Sequence, residues 1–400
     1  MKISDIKIYT VKNKVPNRGG PYFTFLKLIT DNNINGYGEI YGVPFRPKVV
    51  EKMVEDIFDR YLIGQDPFET ESIGRIIYSS NYSQHTDLSI GGVLSGIDMA
   101  CWDIIGKSVN KPIYKLLGGQ VNEKLRTYTY LYPSPDKNGK DPDIIFGNPE
   151  IAPERAIDYQ KQGFTALKFD PVLPMSAFDP RQLSLKALDN AELVTKNIRD
   201  AIGSKCELLI GTHGQMTTSS AIRLAKRLEK YDPLWLEEPV PPENKYEMGR
   251  VAQFTSIPIA TGERLNTKYD FVDLFNNQAA AIIQPDLGRI GGILEAKKIA
   301  GMAEANYVEL APHLYCGPIA AAANIQLSTC SPNFLIQESI EKMDGFHAEI
   351  LNKPILWQDG YIIPPTEPGL GVELNENIIS KNLYDGEEIF IEMVNKPIVD

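Results

Sequence analysis

The sequence predicts an α/β protein: a closed parallel barrel of eight strands with a smaller α+β region beside it. Three observations carry this. From residue 126 onward, eight short β-rich runs alternate with seven amphipathic helical stretches, the pattern of parallel strands joined by crossover helices. Before residue 126 the apolar residues alternate as in paired antiparallel strands. A length of 400 residues suits one large α/β domain and a companion.

Taken in order, ISDIKIYTVK and FTFLKLIT read as paired strands, with turn chemistry in DNNINGYG at 31–38 between strands. A helical run follows at 47–61. GVLSGIDMACWDIIGKSVNKPIYKLLGG reads as helix, turn, helix, ended by Gly118 and Gly119. The barrel runs are RTYTYL (126–131), FTALKFD (164–170), ELLIGT (207–212), LWLEE (234–238), PIATGE (258–263), AIIQPD (281–286), YVELAPH (307–313) and FLIQES (334–339). The helix after the third run places Ile222, Leu224, Leu228 and Tyr231 on one side. The Pro-rich stretch 171–185 is a lid or an insertion. GYIIPP and EPGLGVEL have strand and turn character and are expected to return to the first domain. The expected boundaries are 1–125, 126–350 and 351–400.

Composition narrows the function. A formal charge of -11, from 41 basic against 52 acidic residues, argues against gripping nucleic-acid phosphates or an anionic membrane. Four cysteines without close pairing point away from a disulfide scaffold and toward a reducing compartment, and the expected setting is cytoplasmic, or organellar if a transit segment has been removed. Cys101, Cys206 and Cys330 read as core. The start MKISDIKIYTVKN is strand-like rather than a signal peptide. No run is expected to reach the roughly 20 apolar residues of a membrane helix.

In such barrels, functional groups sit where the strands end. Here the strand ends carry Lys168 and Asp170, then His213 just after Gly211, then Glu237 and Glu238, Glu263 and Arg264, Asp286, His313, and Glu338. Alternation puts Lys168 and Asp170 on one face. Singly, each has a bland reading: a solvated carboxylate, a helix N-terminal charge, a structural histidine. Together they would repel or stand unpaired without a metal or anionic substrate. Carboxylates from adjacent strands suit Mg2+, which stabilises charge as a carbon beside a carboxylate loses its proton. A lysine or histidine takes that proton, and a neighbouring Asp, as Asp286 to His313, orients the histidine.

LSGIDMACWDIIGK with KPIYKLLGG, then WLEEP, PIATGE, IIQPDLGRIGG and APH, make the chain resemble the enolase superfamily, in its mandelate racemase-like branch. The spacing agrees: Glu263 follows Glu237 by 26 residues, Asp286 follows by 23 and His313 by 27. The resemblance covers nearly the whole chain. It implies a modified (β/α)8-type barrel, (β/α)7β, with an α+β capping domain formed by both chain ends. It also implies Mg2+ on Glu237 and Glu263, His313 with Asp286 as an acid/base dyad, Glu338 beside a substrate carboxylate, and a homo-oligomer, dimer or octamer.

Two departures stand out. The family's third metal ligand, an Asp ending strand three, is Gly211 here, and the second lysine of its strand-two pair is Asp170. Asp170 or His213 replaces the ligand, or the site binds metal weakly or not at all. Acid-sugar dehydratases of the mannonate and galactonate kind carry an acid/base histidine where His213 stands; a helix-capping His213 is the alternative. The expected function is Mg2+-dependent dehydration of a sugar acid to a 2-keto-3-deoxy acid, with His313, Asp286, His213 and Lys168 catalytic. Metal falls to Glu237, Glu263 and Asp170, and substrate contacts to Glu338, Arg264, Arg46 and Tyr41. Tyr22, His85 and Cys316 are further candidates near the mouth; His347 is not expected to act. The rivals are an epimerase, racemase or cycloisomerase on the same scaffold, and a non-catalytic sugar-acid binding protein.

Overall fold

Strands β1 (Ile3–Lys12), β2 (Tyr22–Thr30) and β3 (Asn35–Ile40) form an antiparallel meander. The computed structural model describes residues 1–82, 87–139, 141, 145–173 and 180–391. The turn expected over 31–38 is confined to 31–34, and Asn35–Gly38 already belong to β3. The reason is close packing rather than turning. A Cβ on Gly36 would stand 2.1 Å from the Ala100 carbonyl oxygen, and one on Gly38 1.8 Å from that of Gly96. Helix Leu88–Ser108 thus lies directly on the strand. Asp87 caps that helix, accepting from the Ser89 and Ile90 amides at 2.8 and 3.1 Å. By length and composition this helix could cross a membrane, contrary to the expectation from sequence, but most of it is buried inside the protein.

The barrel strands are β4 (Leu125–Tyr130), β5 (Ala166–Phe169), β6 (Glu207–Gly211), β7 (Trp235–Glu237), β8 (Ile259–Thr261), β9 (Ile282–Ile283), β10 (Glu309–Leu310) and β11 (Gln337–Glu338). They pair in parallel from β4 to β10. Closure comes from β11 on β4 and from Phe334 bridging Leu310. Seven helices connect the eight strands, from Ile151–Lys161 to Pro318–Thr329. The architecture is a (β/α)7β barrel beside a separate antiparallel domain.

The C-terminal stretch departs from expectation. Hairpin β12 (Trp357–Gln358) and β13 (Tyr361–Ile362) pairs with β4, so GYIIPP extends the barrel sheet and does not join the first domain. The return follows later: the Leu370 amide meets Asp103, and Asn382 and Tyr384 exchange backbone bonds with β1 at 2.7 and 2.8 Å.

Buried acids lock the two parts together beside the mouth. Glu39 accepts from the Gly317 and Ala320 amides at 2.5 and 2.9 Å, at the start of helix Pro318–Thr329. Asp98 does the same for Ile293 and Leu294 at the start of helix Gly292–Ala305. Helix N-termini favour such carboxylates, while burial pushes Glu39 up to about 8 and Asp98 to about 7. Of the Pro-rich stretch 171–185, residues 174–179 lie outside the described residues; Arg181 bridges Met216 in the loop after β6.

Candidate active site

The barrel interior is built in layers, and the layers place the chemistry. One apolar layer takes one residue from each strand or its edge: Tyr128, Ala166, Leu209, Trp235, Ala260, Ile282, Ala311 and Ile336, all buried. Inward-facing residues recur every second position. Two residues further along each strand stand Tyr130, Lys168, Gly211, Glu237, Gly262, Gln284, His313 and Glu338. The second layer is therefore polar where the first is apolar, and it faces the mouth. Left-handed backbone at three strand ends redirects the chain: Gly262 at φ 143°, Glu238 at 40° and His213 at 51°. Such conformations in non-glycine residues cluster at functional sites.

One wall holds the dyad. His313 Nδ1 lies 2.5 Å from Asp286 Oδ2, and its Nε2 faces Glu263 at 3.2 Å and Glu338 at 4.0 Å. Asp286 also accepts from the Gly288 amide at 2.7 Å. Tyr41 packs its ring 5.8 Å from the His313 ring, with the Arg289 guanidinium 4.2 Å over Tyr41.

The opposite wall is looser. His213 Nδ1 is 3.4 Å from Asp170 Oδ2, within ion-pair reach but not aligned as a hydrogen bond. Tyr130 donates to the same Asp170 oxygen at 3.5 Å. Asp170 Oδ1 is buried with no hydrogen-bond partner. A Cβ on Gly211 would stand 1.9 Å from that oxygen. Asp170 therefore fills the space a strand-three side chain would take.

Between the walls, Lys168 Nζ bonds Glu237 Oε1 at 2.5 Å and lies 3.8 Å from Glu338. Glu237 Oε2 accepts from Gln284 at 2.7 Å and from the Trp235 indole at 3.0 Å. Burial lowers the affinity of His313 for a proton, but Glu263, Glu338 and Asp286 outweigh it and push the imidazole up to about 9. Burial opposes protonation of His213 likewise, and Asp170 overcomes it, again to about 9. Burial also works against the Lys168 ammonium, yet Glu237, Glu338 and Glu263 hold it well above its ordinary value. The contact with Glu237 makes it one half of a buried ion pair. Burial raises Glu237 to about 7 against the pull of Lys168. Burial would raise Glu263 too, but His313, His213, Lys168 and Arg264 hold it below the usual carboxylate range.

Other expected contacts lie elsewhere. Arg264 Nε donates to Glu238 at 2.8 Å, so its guanidinium serves a neighbouring acid. Arg46 is exposed and pairs with Glu387 at 2.8 Å, not with the cluster. Tyr22 stacks on Tyr384 at 4.9 Å. His85 lies outside the described residues. Cys316 is buried beside the site, and His347 Nε2 donates to its carbonyl oxygen at 3.0 Å. Gln284, Tyr130 and Arg289 were not singled out from sequence. Gln284 and Tyr130 share the inward parity of Asp286 and Tyr128, so strict alternation would have found both.

The donor set is chemically suited to a hard divalent cation: three carboxylates, Asp170, Glu237 and Glu263, one with an orphaned buried oxygen. Each faces a basic side chain, His213, Lys168 and His313 respectively. Among the described residues no three such side chains converge into a ready cation cage, because each acid is turned to its own base.

A capped barrel whose strand ends join two histidine–aspartate pairs and a buried lysine–glutamate pair is an acid–base enzyme scaffold. The chain belongs to the mandelate racemase/muconate lactonizing enzyme family: residues 10–118 match that family's N-terminal domain, and 152–378 match the enolase C-terminal domain-like model. It is 36% identical over 398 residues to a D-galactonate dehydratase from Pectobacterium atrosepticum, covering 96% of each chain. It is 37% identical to one from Ralstonia pickettii, covering 90% of each. The crystal structure of a mandelate racemase/muconate lactonizing enzyme from Sulfitobacter sp. is 42% identical, covers 100% of both chains and superposes with a TM-score of 0.95.

Proposed function

We propose that this protein is a hydro-lyase that dehydrates a sugar acid to a 2-keto-3-deoxy acid. The His313–Asp286 contact at 2.5 Å, with Nε2 toward Glu263 and Glu338, carries the reading. His213 on the facing wall and the D-galactonate dehydratase relatives support it.

Asp286 holds one imidazole nitrogen, so Nε2 of His313, in the neutral form of the ring, is the atom that takes the proton next to the substrate carboxylate. His213, with 22% of its side chain exposed against 7% for His313, exchanges protons with solvent more readily and delivers one to the departing β-hydroxyl. The C–H electrons pass through the enediolate to expel water, and the enol becomes the ketone. Lys168 stays cationic and steadies the carboxylate end with Glu338 at hand. Asp170, Glu237 and Glu263 are the residues that would hold Mg2+, which when bound supplies charge stabilisation for the enediolate.

The test is direct. The protein is incubated with Mg2+ and a panel of mono- and diacid sugars including D-galactonate, and 2-keto product is read with semicarbazide. No keto product, together with α-proton exchange into D2O, would move the reading to an epimerase.

A further inference from the structure

We infer that segment 383–391 is a strap across the mouth and that Phe390, within it, is a positioning residue for His313. This rests on the proposed reaction only where turnover is read.

The strap starts where Val11 bridges Leu383 and Tyr384 donates its amide to Thr10, adding the segment to the open edge of β1. Beyond Tyr384, among the described residues, no backbone hydrogen bond ties 385–391 to the rest of the chain. Side chains hold it instead. Glu387 pairs with Arg46, and Tyr22 stacks on Tyr384. Phe390 then turns inward. Its ring meets the edges or faces of Tyr22 at 5.5 Å, Tyr41 at 5.1 Å and Tyr315 at 6.4 Å. Those three tyrosines come from separate places: the first strand pair, the loop after β3, and the loop after β10. A Cβ on Gly20 would stand 1.9 Å from Phe390 Cζ, so the facing loop is shaped to admit this ring.

The consequence reaches the dyad through one intermediate. Tyr41 is gripped between Phe390 and Arg289 and lies against His313. Perpendicular aromatic contacts of this kind favour one ring orientation. Phe390 thus fixes Tyr41, and Tyr41 backs the imidazole whose Nδ1 Asp286 holds. Phe390 also seals the junction of these three tyrosines beside a site in which His313, Glu338 and Lys168 are buried. A substrate enters by lifting the stretch 385–391, which among the described residues is held by side chains alone, and closure re-forms the backing of His313. Two side chains that sequence suggested for substrate, Arg46 and Tyr22, serve the strap in this arrangement.

Amide hydrogen exchange on the full chain, without substrate or metal, tests this. Phe390→Ala should speed exchange in 16–22 and 311–317 by about tenfold, while helix Leu88–Ser108 keeps its wild-type rate. Phe390→Leu, which keeps bulk, should restore most of the protection. Arg46→Ala, a surface change, should loosen the same two segments more mildly. Exchange unchanged in both segments, or equally faster in the helix, would overturn the strap. On any sugar acid that is turned over, Phe390→Ala should lower kcat by about tenfold, with partial rescue by Leu; unchanged kcat would overturn the positioning role. If no sugar acid is turned over, the dehydratase reading fails while the exchange result still decides the strap.

Discussion

The two walls of the mouth use the same residue types to different tolerances. On one, His313 and Asp286 lie 2.5 Å apart, buried, with Tyr41 and Arg289 stacked behind. On the other, His213 and Asp170 lie 3.4 Å apart without hydrogen-bond alignment, and Asp170 keeps an oxygen with no partner. A tightly held base suits abstraction from carbon, where geometry decides the rate. A loosely held acid suits delivery to a leaving oxygen and re-protonation from solvent. The spare Asp170 oxygen suits a further duty toward a cation.

The largest effect should come from the tight wall. His313→Asn, with fold retained, should abolish α-proton exchange in D2O on the true substrate, a loss of about 10²–10⁴. Exchange undiminished by NMR would remove the dyad from the mechanism. His213→Asn should sharpen the contrast. Water loss should fall about 10²-fold, while α-proton exchange continues. Equal losses in both would show that the loose wall also acts on carbon.

A smaller effect tests the relocated carboxylate. Asp170→Ala should weaken Mg2+ binding by about 10–100-fold, measured calorimetrically on the resting protein. Adding Gly211→Asp to that variant should recover part of the affinity, because the new side chain enters the space that Asp170 gives up. In the wild-type background, Gly211→Ala should itself impair binding, since its Cβ would collide with Asp170 Oδ1. Mg2+ affinity indifferent to all three would show that Asp170 holds no cation.

The tight wall was largely legible in the sequence, and the loose wall only partly. Glu237, Glu263, Asp286, His313 and Glu338 stand at strand ends, where short-range alternation and the barrel pattern fix their direction. Gln284 and Tyr130 obey the same parity, but neither residue type marks a strand end as chemical in the way a carboxylate, lysine or histidine does. The compensation between Gly211 and Asp170 was legible as a possibility; only three-dimensional structure shows the carboxylate in the glycine's space. What sequence could not show was partnership at long range. Arg46 meets a glutamate 341 residues away, and the glycines of 31–38 read as turn formers because the helix lying on them is some 60 positions distant. Local patterning carries no information about which distant segment supplies the partner.

The smallest effect lies outside both walls and separates the histidines of the mouth from one that packs. Burial lowers His347 to about 4, against a slight opposing pull from its contact with the Cys316 carbonyl oxygen. The unfolded chain, at the ordinary value near 6.5, therefore binds a proton that the folded chain refuses between pH 6.5 and 4. Stability contributed at this site is full above pH 6.5 and is lost as pH falls toward 4, by on the order of 3 kcal/mol. His347→Gln keeps a donor for the carbonyl without a titrating group. Urea denaturation at pH 7.5 and 4.5 should show wild type losing more stability than this variant, with other acid-sensitive groups cancelling between them. Equal losses would mean that His347 is protonated in the folded protein. A carbonyl contact would then suffice to keep a buried imidazolium, and the acidic surroundings given to His313 and His213 would no longer distinguish them from a histidine that only packs.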